Sequence, residues 1–237
     1  MIICNSRRYI YFHMHKCGGT SVEKALEPFL HWNDVVLGST DFGELASEHF
    51  MKRFGLYKHS WVEDVERVCG QVVLDNYYMF ATVRHPVGRI CSLYNFIAGL
   101  VHDLEQGLGL TRRELRKRYD ELASTQWLLE WAGTKAMVFA SDFSGFIRDP
   151  RVEEDSGYES QAARLKSLDG SLRVECFRLE DQLDDMLRMI SDRFGMRPVI
   201  PHENKSGFKA VRREDVGALD LDFLHRRFKE DFDLFGY

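Results

Sequence analysis

Residues 13–21, with the sequence HMHKCGGTS, combine residue types that are suited to binding a phosphate or a sulfate. Two adjacent glycines let the backbone approach an anion closely, and the first N–H groups of a following helix carry partial positive charge. Lys16 adds a mobile cation, and two hydroxyl groups add hydrogen-bond donors. The sequence therefore predicts an anion site, formed by Lys16, Cys17, Gly18, Gly19, Thr20 and Ser21.

The order of these residues differs from two common nucleotide-binding motifs. In the Walker A loop the lysine follows the glycines, whereas Lys16 precedes Gly18 and Gly19. The dinucleotide motif Gly-x-Gly-x-x-Gly is absent as well. Taken alone, the segment is equally well explained as a glycine turn with Lys16 in solvent, so its interpretation depends on the rest of the chain.

A second group of polar residues follows an apolar run at residues 77–83. Arg84 comes directly after this run, and Ser92 lies about two helical turns further on. A planar guanidinium matches the geometry of a phosphate, and open α/β sheets bind ligands at the carboxyl ends of their strands. Considered alone, Arg84 is better explained by a salt bridge and Ser92 by a position on a helix surface.

In combination, the two motifs resemble those of the PAPS-dependent sulfotransferases, where PAPS is 3′-phosphoadenosine 5′-phosphosulfate. Residues 16–21 resemble the loop that binds the 5′-phosphosulfate in that family, with His15 at the position of the usual proline. Arg84 and Ser92 resemble the arginine and the serine of the family's 3′-phosphate site. The resemblance therefore implies that PAPS is the co-substrate.

Weaker similarities extend the resemblance over almost the whole chain. Lys205 lies in a segment that resembles the Asn-x-Ser loop of these enzymes, and the resemblance implies that it contacts the cofactor. Residues 125–129 resemble a segment of the carbohydrate 2-O-type group. The chain is thus most similar to the carbohydrate (2-O-type or Golgi-like) sulfotransferases, in a soluble form. The remaining similar segments are residues 177–181, 201–206 and 228–235.

The resemblance implies in-line transfer of a sulfuryl group from PAPS to a hydroxyl, with a carbohydrate as the expected acceptor. In the related template of phosphoryl transfer, positioning and electrostatics dominate, so Lys16 and the helix N-terminus would stabilise the leaving phosphate without a metal. His59 is the expected base, because a Gly-His motif supplies the base at this place in related carbohydrate sulfotransferases, although Lys58 replaces the glycine here. The alternative bases are His13, His15, His49, Glu44 and Glu48.

The elements that must position these residues are predicted from the spacing of apolar side chains. Residues 8–13 are rich in aromatic and β-branched residues and predict a strand. Residues 77–83 form a nearly continuous apolar run, which is typical of a buried parallel strand. A helix follows each strand: Thr20 or Ser21 can cap the first, and the second starts near Val87, after a proline.

Weaker patterns complete the predicted fold. Short strands are expected at residues 34–37 and 172–177, and a helix is expected over residues 179–194 with Gly195 as its C-cap. Strands that alternate with helices predict an α/β protein with a mainly parallel sheet flanked by helices in three layers. Together with the resemblance, this indicates a P-loop-like fold with a helical insert.

The length of 237 residues and an ordinary globular composition predict a single sulfotransferase domain over residues 1–237. Within it, we expect residues 99–170 to form a helical insert on the acceptor side, with a mobile loop at residues 149–160. The basic run at residues 111–118 either lines an acceptor cleft or forms a solvated face, and a solvated face is the more common case.

Composition also limits the partners and the compartment. The formal net charge of −5 argues against non-specific binding to nucleic acid or to anionic membranes. Five cysteines without a Cys-x-x-Cys pair or a zinc-like cluster indicate thiols in a reducing compartment. No segment approaches the roughly 18 apolar residues of a membrane span. We therefore expect a cytoplasmic protein with neither a membrane span nor a bound metal.

Two other functions are compatible with parts of the sequence. A P-loop-like kinase of a small hydroxyl compound predicts a Walker A lysine and a magnesium-binding acid at a later strand end, and neither is evident. A catalytically silent nucleotide-binding module predicts that the base is missing or misplaced, which the presence of His59 opposes.

Overall fold

A computed structural model describes residues 1–201 and 208–237. The chain divides into two compact units. The first unit comprises Met1–His85, Ser160–Lys205 and Glu230–Tyr237, and the second comprises Pro86–Glu159 and Ser206–Lys229. The expectation of a single domain stays a prediction.

Strands and helices alternate along much of the first unit, whereas the second is helical where it is described. The strands are β1 (Ile2–Cys4), β2 (Tyr9–Phe12), β3 (Val35–Val36), β4 (Tyr78–Val83) and β5 (Glu175–Arg178). The α-helices are α1 (Gly19–Leu26), α2 (Asp41–Phe54), α3 (Val62–Cys69), α4 (Gln71–Asn76), α5 (Pro86–Leu108), α6 (Arg112–Lys117), α7 (Tyr119–Ala123), α8 (Ala132–Phe139), α9 (Phe143–Ile147), α10 (Gln161–Arg164), α11 (Leu183–Phe194), α12 (Ala218–Arg227) and α13 (Lys229–Phe235).

The strands form a five-stranded sheet in the order β3-β1-β2-β4-β5. The pairs β2-β4 and β4-β5 are parallel, while β1 is antiparallel to both β2 and β3. The four residues between β1 and β2 form a hairpin turn, because so short a connection cannot cross over to a parallel partner. The protein is thus a mixed α/β protein, and its finer description as a three-layer P-loop-like fold stays a prediction.

The central strands are buried on both faces, which explains their continuous apolar sequences. Alternate residues point to opposite faces: Ile10 and Met79 belong to one apolar cluster, and Tyr9 and Phe80 belong to another. Helices α3, α4, α10 and α13 contribute side chains to the first cluster, and helices α1 and α11 contribute to the second. This burial on both sides holds the ends of β2 and β4 in place.

Two predicted helix starts differ from the structure. The N-cap of α1 is Gly18, so the prediction of Thr20 or Ser21 as the cap is wrong. Gly18 has φ 75°, a left-handed conformation that glycine adopts without the steric cost of a side chain. Helix α11 begins four residues later than predicted, at Leu183, and it ends as predicted at Gly195 in a left-handed C-cap.

Strand β1 is an element that the sequence patterns did not predict. It contains three residues, Ile2–Cys4, all of them buried. So short a run carries no periodic signal, and the strand becomes recognisable through its pairing with both β2 and β3.

The basic run at residues 111–118 is partly committed to structural contacts within the second unit. Thr111 caps helix α6 with Glu114 in a capping box. Arg112 donates a hydrogen bond to the carbonyl of Met137 (3.0 Å), and Arg116 donates one to the carbonyl of Ala140 (2.6 Å). Both arginines thereby satisfy carbonyls at the end of α8, which lack partners within that helix.

Residues 149–160 were predicted to form a mobile loop. Of these, residues 149–159 belong to the second unit and pack within it. A 3₁₀-helix covers Pro150–Glu154, and the side chains of Val152 and Tyr158 are fully buried. The Tyr158 hydroxyl donates a hydrogen bond to the carbonyl of Ile147 (2.7 Å). The segment lacks long regular elements, as predicted for a loop, but its side chains are packed more tightly than the word mobile implies. This packing involves side chains that are distant in sequence, so the local composition did not indicate it.

Some features are absent from the part of the chain that the structure describes. No helix there is both long and apolar enough to cross a membrane. All five cysteines lie within the described ranges, and no disulfide joins any of them. The cytoplasmic location expected from the sequence stays a prediction.

Candidate active site

The segment between β2 and α1 forms the loop that was predicted to bind an anion. Lys16 and Gly18 both adopt left-handed backbone conformations, with φ 61° and 75°. For a lysine this conformation is unfavourable by about 1–2 kcal/mol, and such local strain is concentrated at functional sites. Helix α1 begins at Gly19, and the N-terminal end of a helix carries partial positive charge.

Close packing constrains Gly19, and the left-handed backbone conformation constrains Gly18. A Cβ atom on Gly19 would lie 2.2 Å from Cδ2 of His13, and one on Gly18 would lie 2.8 Å from Cδ1 of Leu179. The His13 ring is buried, so it cannot move aside easily. The close approach of backbone and ring therefore excludes a side chain at residue 19.

Substitution of Gly19 by alanine is expected to destabilise the protein by about 1–3 kcal/mol, because the new methyl group overlaps the buried His13 ring. The measurement is urea unfolding followed by circular dichroism. The matched control is Gly107→Ala in helix α5, where an added Cβ meets no atom within 4 Å. That control should leave stability unchanged or raise it by up to about 1 kcal/mol. Equal stability of Gly19→Ala and wild type would contradict the packing argument.

Lys16 is a half-buried cation. Burial, and secondarily the nearby Arg84 guanidinium, lower the pKa of Lys16 to about 8. The side chain thus remains mostly charged at neutral pH, in surroundings that are less hydrated than bulk water. A bound anion would interact with it more strongly than with a solvated lysine.

Arg84 brings the second predicted motif next to the first. It follows the last residue of β4, and its Nη1 donates a hydrogen bond to the carbonyl oxygen of Lys16 (3.2 Å). Strands β2 and β4 are parallel neighbours, so their carboxyl ends lie side by side. The sheet thereby brings the loop that contains Lys16 next to Arg84, and the role of the two residues in binding an anion stays a prediction.

Two other cofactor-binding residues were predicted, Ser92 and Lys205. Ser92 is half-buried on helix α5, which belongs to the second unit. Lys205 lies outside the described residues. Their predicted contacts with a cofactor stay predictions.

Gln161, which no sequence motif indicated, contacts both anion-site segments. Its Oε1 accepts hydrogen bonds from the Arg84 backbone N–H (2.9 Å) and from the Cys17 thiol (3.1 Å). Its Nε2 donates to the Arg84 carbonyl (2.9 Å). Gln161 is fully buried at the start of the four-residue helix α10, where a lone glutamine carries no recognisable local signal.

Glu180 holds the neighbouring peptide group. Its Oε1 accepts a hydrogen bond from the backbone N–H of His85 (3.0 Å), and its Oε2 accepts one from the hydroxyl of Tyr237 (2.9 Å). A weak signal for this glutamate was present in the sequence, because residues 177–181 were among the segments that resemble the sulfotransferases. The structure shows what this glutamate does: it anchors the turn that follows β4.

His59 lies directly against the anion loop. Its Nδ1–H donates a hydrogen bond to the carbonyl of His13 (2.8 Å), and its ring stacks on that of His15 with 3.6 Å between centroids. The carbonyl of His59 accepts a hydrogen bond from Arg164 (2.8 Å). A carbonyl oxygen can only accept, so a neutral His59 carries its proton on Nδ1 and its lone pair on Nε2.

The surroundings keep His59 uncharged. Burial, followed by the charges of His15 and His13, holds the pKa of His59 well below its ordinary value of 6.5. The imidazole is therefore neutral at physiological pH, which is the form that can accept a proton.

The alternative bases have other surroundings. His13 is buried, and its Nδ1 lies 2.9 Å from Oε1 of Glu23. His49 is exposed on helix α2. Glu44 and Glu48 each form an ion pair with a lysine. The His59 ring contacts the rings of both His15 and His13, with 3.6 Å and 4.7 Å between centroids, and both belong to the segment that carries Lys16.

Within residues 1–201 and 208–237, no group of three or more His, Cys, Asp or Glu side chains is placed to hold a metal ion. Lys16 and Arg84 carry the charges that an anion site needs, and the neutral His59 is in the form that can accept a proton.

Comparison with known proteins gives one match. The model of the sulfotransferase family matches residues 1–237. No curated protein and no solved structure matches the chain. Because the family match extends over the whole chain, this protein belongs to the sulfotransferase family, whose members transfer sulfuryl groups.

Proposed function

We propose that this sulfotransferase binds PAPS and transfers its sulfuryl group in line to a hydroxyl of a carbohydrate, with His59 as the general base. The observation that carries the proposal is the contact between the two predicted motifs at adjacent strand ends. The Arg84 guanidinium donates to the Lys16 carbonyl, and the His59 ring is hydrogen-bonded to the carbonyl of His13 in the same loop.

The cations of the site suit a nucleotide with two separate phosphate groups. The half-buried Lys16 and the first N–H groups of α1 form one positive region, which would hold the 5′-phosphosulfate. Arg84 offers a planar guanidinium beyond β4, which would hold the 3′-phosphate. When bound, PAPS supplies an activated sulfuryl group on a mixed anhydride.

The residues of the chain would contribute to transfer in two ways. Lys16 and the helix N-terminus would stabilise negative charge that develops on the departing phosphate. His59 would take the proton of the acceptor hydroxyl at Nε2, while its Nδ1–H stays bonded to the His13 carbonyl. That bond also orients the ring and would stabilise the imidazolium that forms.

A carbohydrate acceptor is proposed because the segments around His59 and at residues 125–129 resemble the carbohydrate sulfotransferases. The acceptor class can be tested with labelled PAPS against a panel of desulfated glycosaminoglycan oligosaccharides, neutral oligosaccharides, phenols and steroid alcohols. Transfer to saccharides alone is the expected result. Transfer to phenols or steroids alone would reject the proposed acceptor class without affecting the proposed cofactor.

The cofactor is tested by calorimetric titration with adenosine 3′,5′-bisphosphate, the desulfated product, without metal. We expect micromolar binding of the bisphosphate and much weaker binding of AMP. Arg84→Ala should raise the Kd for the bisphosphate about 10- to 100-fold, because it removes a charged partner of one phosphate. The matched control is Arg188→Ala on helix α11, which is exposed and paired with Asp185.

The outcomes of this titration are distinct. If the bisphosphate binds no better than AMP, the proposed use of PAPS is wrong, and ATP with magnesium is the next ligand to titrate. If the bisphosphate binds tightly but Arg84→Ala binds it equally well, PAPS is retained and the role of Arg84 is rejected.

A further inference from the structure

We propose that Gln161 is a positioning residue of the cofactor site. Its side-chain amide holds the main chain of Arg84 and the thiol of Cys17 in the arrangement that the cofactor needs. The inference rests on the proposed function and adds to it a residue that lies outside both cofactor motifs.

The polar groups of the Gln161 amide are all engaged. The oxygen accepts from the Arg84 N–H (2.9 Å) and the Cys17 thiol (3.1 Å), and the nitrogen donates to the Arg84 carbonyl (2.9 Å) and to Oδ2 of Asp231 (3.3 Å). A side-chain amide has two N–H donors and one oxygen with two lone pairs, so these four contacts fill its capacity. The partners also determine the amide orientation, because a backbone N–H only donates and a backbone carbonyl only accepts.

Two of these bonds go to the N–H and the carbonyl of a single residue, Arg84. Val83 is the last residue of β4, and its carbonyl still accepts a hydrogen bond from the N–H of Leu179 (2.8 Å). At Arg84 the strand pairing has ended, and the Gln161 side chain takes the place of a neighbouring strand. Both peptide groups that flank Arg84 are thereby held, so the direction in which its guanidinium leaves the backbone is restricted.

The amide is itself held by a buried carboxylate. Asp231 on helix α13 accepts hydrogen bonds from the backbone N–H groups of Gln161 (3.1 Å) and Ala162 (2.9 Å) and from the hydroxyl of Ser160 (2.6 Å). Gln161 and Asp231 are both fully buried. The backbone and the side chain of Gln161 are thus fixed before any ligand binds, as expected of a residue that supports a binding site.

The contact with Cys17 extends the arrangement to the other motif. Cys17 follows Lys16 in the loop, and the Arg84 guanidinium donates to the Lys16 carbonyl (3.2 Å). The loop and the turn after β4 are therefore joined twice, once through the Arg84 side chain and once through Gln161. A change at Gln161 should reach both proposed phosphate sites, and the 3′-phosphate site most strongly.

The test is the substitution Gln161→Met, which keeps an unbranched side chain of similar length and removes every hydrogen bond of the amide. We expect the Kd for adenosine 3′,5′-bisphosphate to rise about tenfold, and the Kd for AMP to rise less, because AMP lacks the 3′-phosphate that Arg84 would bind. The matched control is Tyr158→Phe in the second unit, which loses a buried hydrogen bond to a backbone carbonyl. It should lower stability without changing either Kd.

A double-mutant cycle separates positioning from a general loss of structure. If Gln161 acts through Arg84, then Gln161→Met should change the Kd for the bisphosphate by no more than about twofold in an Arg84→Ala background. Additive effects of the two substitutions would overturn the inference. If Gln161→Met does not fold, the substitute variant is Gln161→Asn, which keeps the amide but moves it away from Arg84 by the length of one methylene. The same loss of preference for the bisphosphate over AMP is expected in that variant.

Failure of the inference is distinguishable from failure of the proposed function. If wild type does not discriminate between the bisphosphate and AMP, the proposed cofactor is wrong. If wild type discriminates and the folded Gln161 variants discriminate equally well, the cofactor is retained and the positioning role of Gln161 is rejected.

Discussion

Replacing His59 by alanine is expected to lower kcat by about 10²- to 10⁴-fold, the usual contribution of a general base. The Kd for adenosine 3′,5′-bisphosphate should stay within about twofold of the wild-type value, because the neutral His59 ring supplies no charge to a phosphate and the bond from Arg164 to the His59 carbonyl is kept in the variant. The measurement is transfer of labelled sulfate from PAPS to the best acceptor of the panel, together with calorimetry.

The control for this prediction is His49→Ala, which removes an exposed histidine of helix α2. It should leave both kcat and the Kd unchanged. Wild-type turnover in His59→Ala would reject His59 as the base, and the same substitution would then be made at the other histidines and glutamates considered as bases.

The low pKa of His59 predicts the pH dependence of the wild-type enzyme. Because the imidazole stays neutral below pH 6.5, kcat/KM should begin to decline only below that pH as the medium is made more acidic.

Replacing Lys16 by alanine is expected to lower kcat/KM for PAPS by about 10²- to 10³-fold, the range seen when a preorganised electrostatic contact to a transition state is removed. Part of the loss should appear as a weaker Kd for the bisphosphate, because the same ammonium would bind the 5′-phosphate of the product. Lys52→Ala is the control, since Lys52 is exposed and paired with Glu48. An unchanged kcat/KM in Lys16→Ala would show that the loop is a structural turn.

The pH dependence of binding tests the same residue. Burial lowers the pKa of Lys16 to about 8, so its charge is present below that pH and is lost as the pH rises through it. The Kd for the bisphosphate should therefore increase above pH 8, by up to about tenfold per pH unit. In Lys16→Arg the guanidinium stays charged, and the alkaline loss of affinity should disappear. The same alkaline loss in Lys16→Arg would assign it to another group.

The alternative functions from the sequence are distinguished by these measurements. A silent nucleotide-binding module would bind the bisphosphate, and neither wild type nor His59→Ala would show transfer to any acceptor. A kinase would require ATP and a metal. The family match supports sulfuryl transfer over phosphoryl transfer, and it leaves the acceptor to the panel experiment.

Much of the site's framework could be predicted from the sequence because its signals are local. The apolar runs of β2 and β4 indicate buried strands. The order of residues alone placed Arg84 at the end of one strand and Lys16 in the turn that joins the other strand to a helix. The turn at Gly18 and Gly19 was predicted for the same reason. Each of these features involves neighbours along the chain, so composition and spacing are sufficient to indicate it.

Other parts of the site depend on residues that are distant in sequence. Gln161 lies 77 positions from Arg84 and 144 from Cys17, and no periodic pattern connects them. The same holds for the contact between Glu180 and His85, 95 positions apart. Such contacts form because the parallel order β2-β4-β5 brings three separate segments to one edge of the sheet, and a single sequence does not reveal that order.

Residue types and their spacing were enough to indicate which residues could bind an anion or accept a proton, and which strands and turns carry them. The charge and the orientation of these side chains follow from how the chain packs. The tertiary structure buried Lys16 and His59 and so shifted the pKa of each downwards, and it oriented the His59 ring through the carbonyl of His13. Burial and orientation arise from packing between remote segments, whereas residue type and spacing are written along the chain.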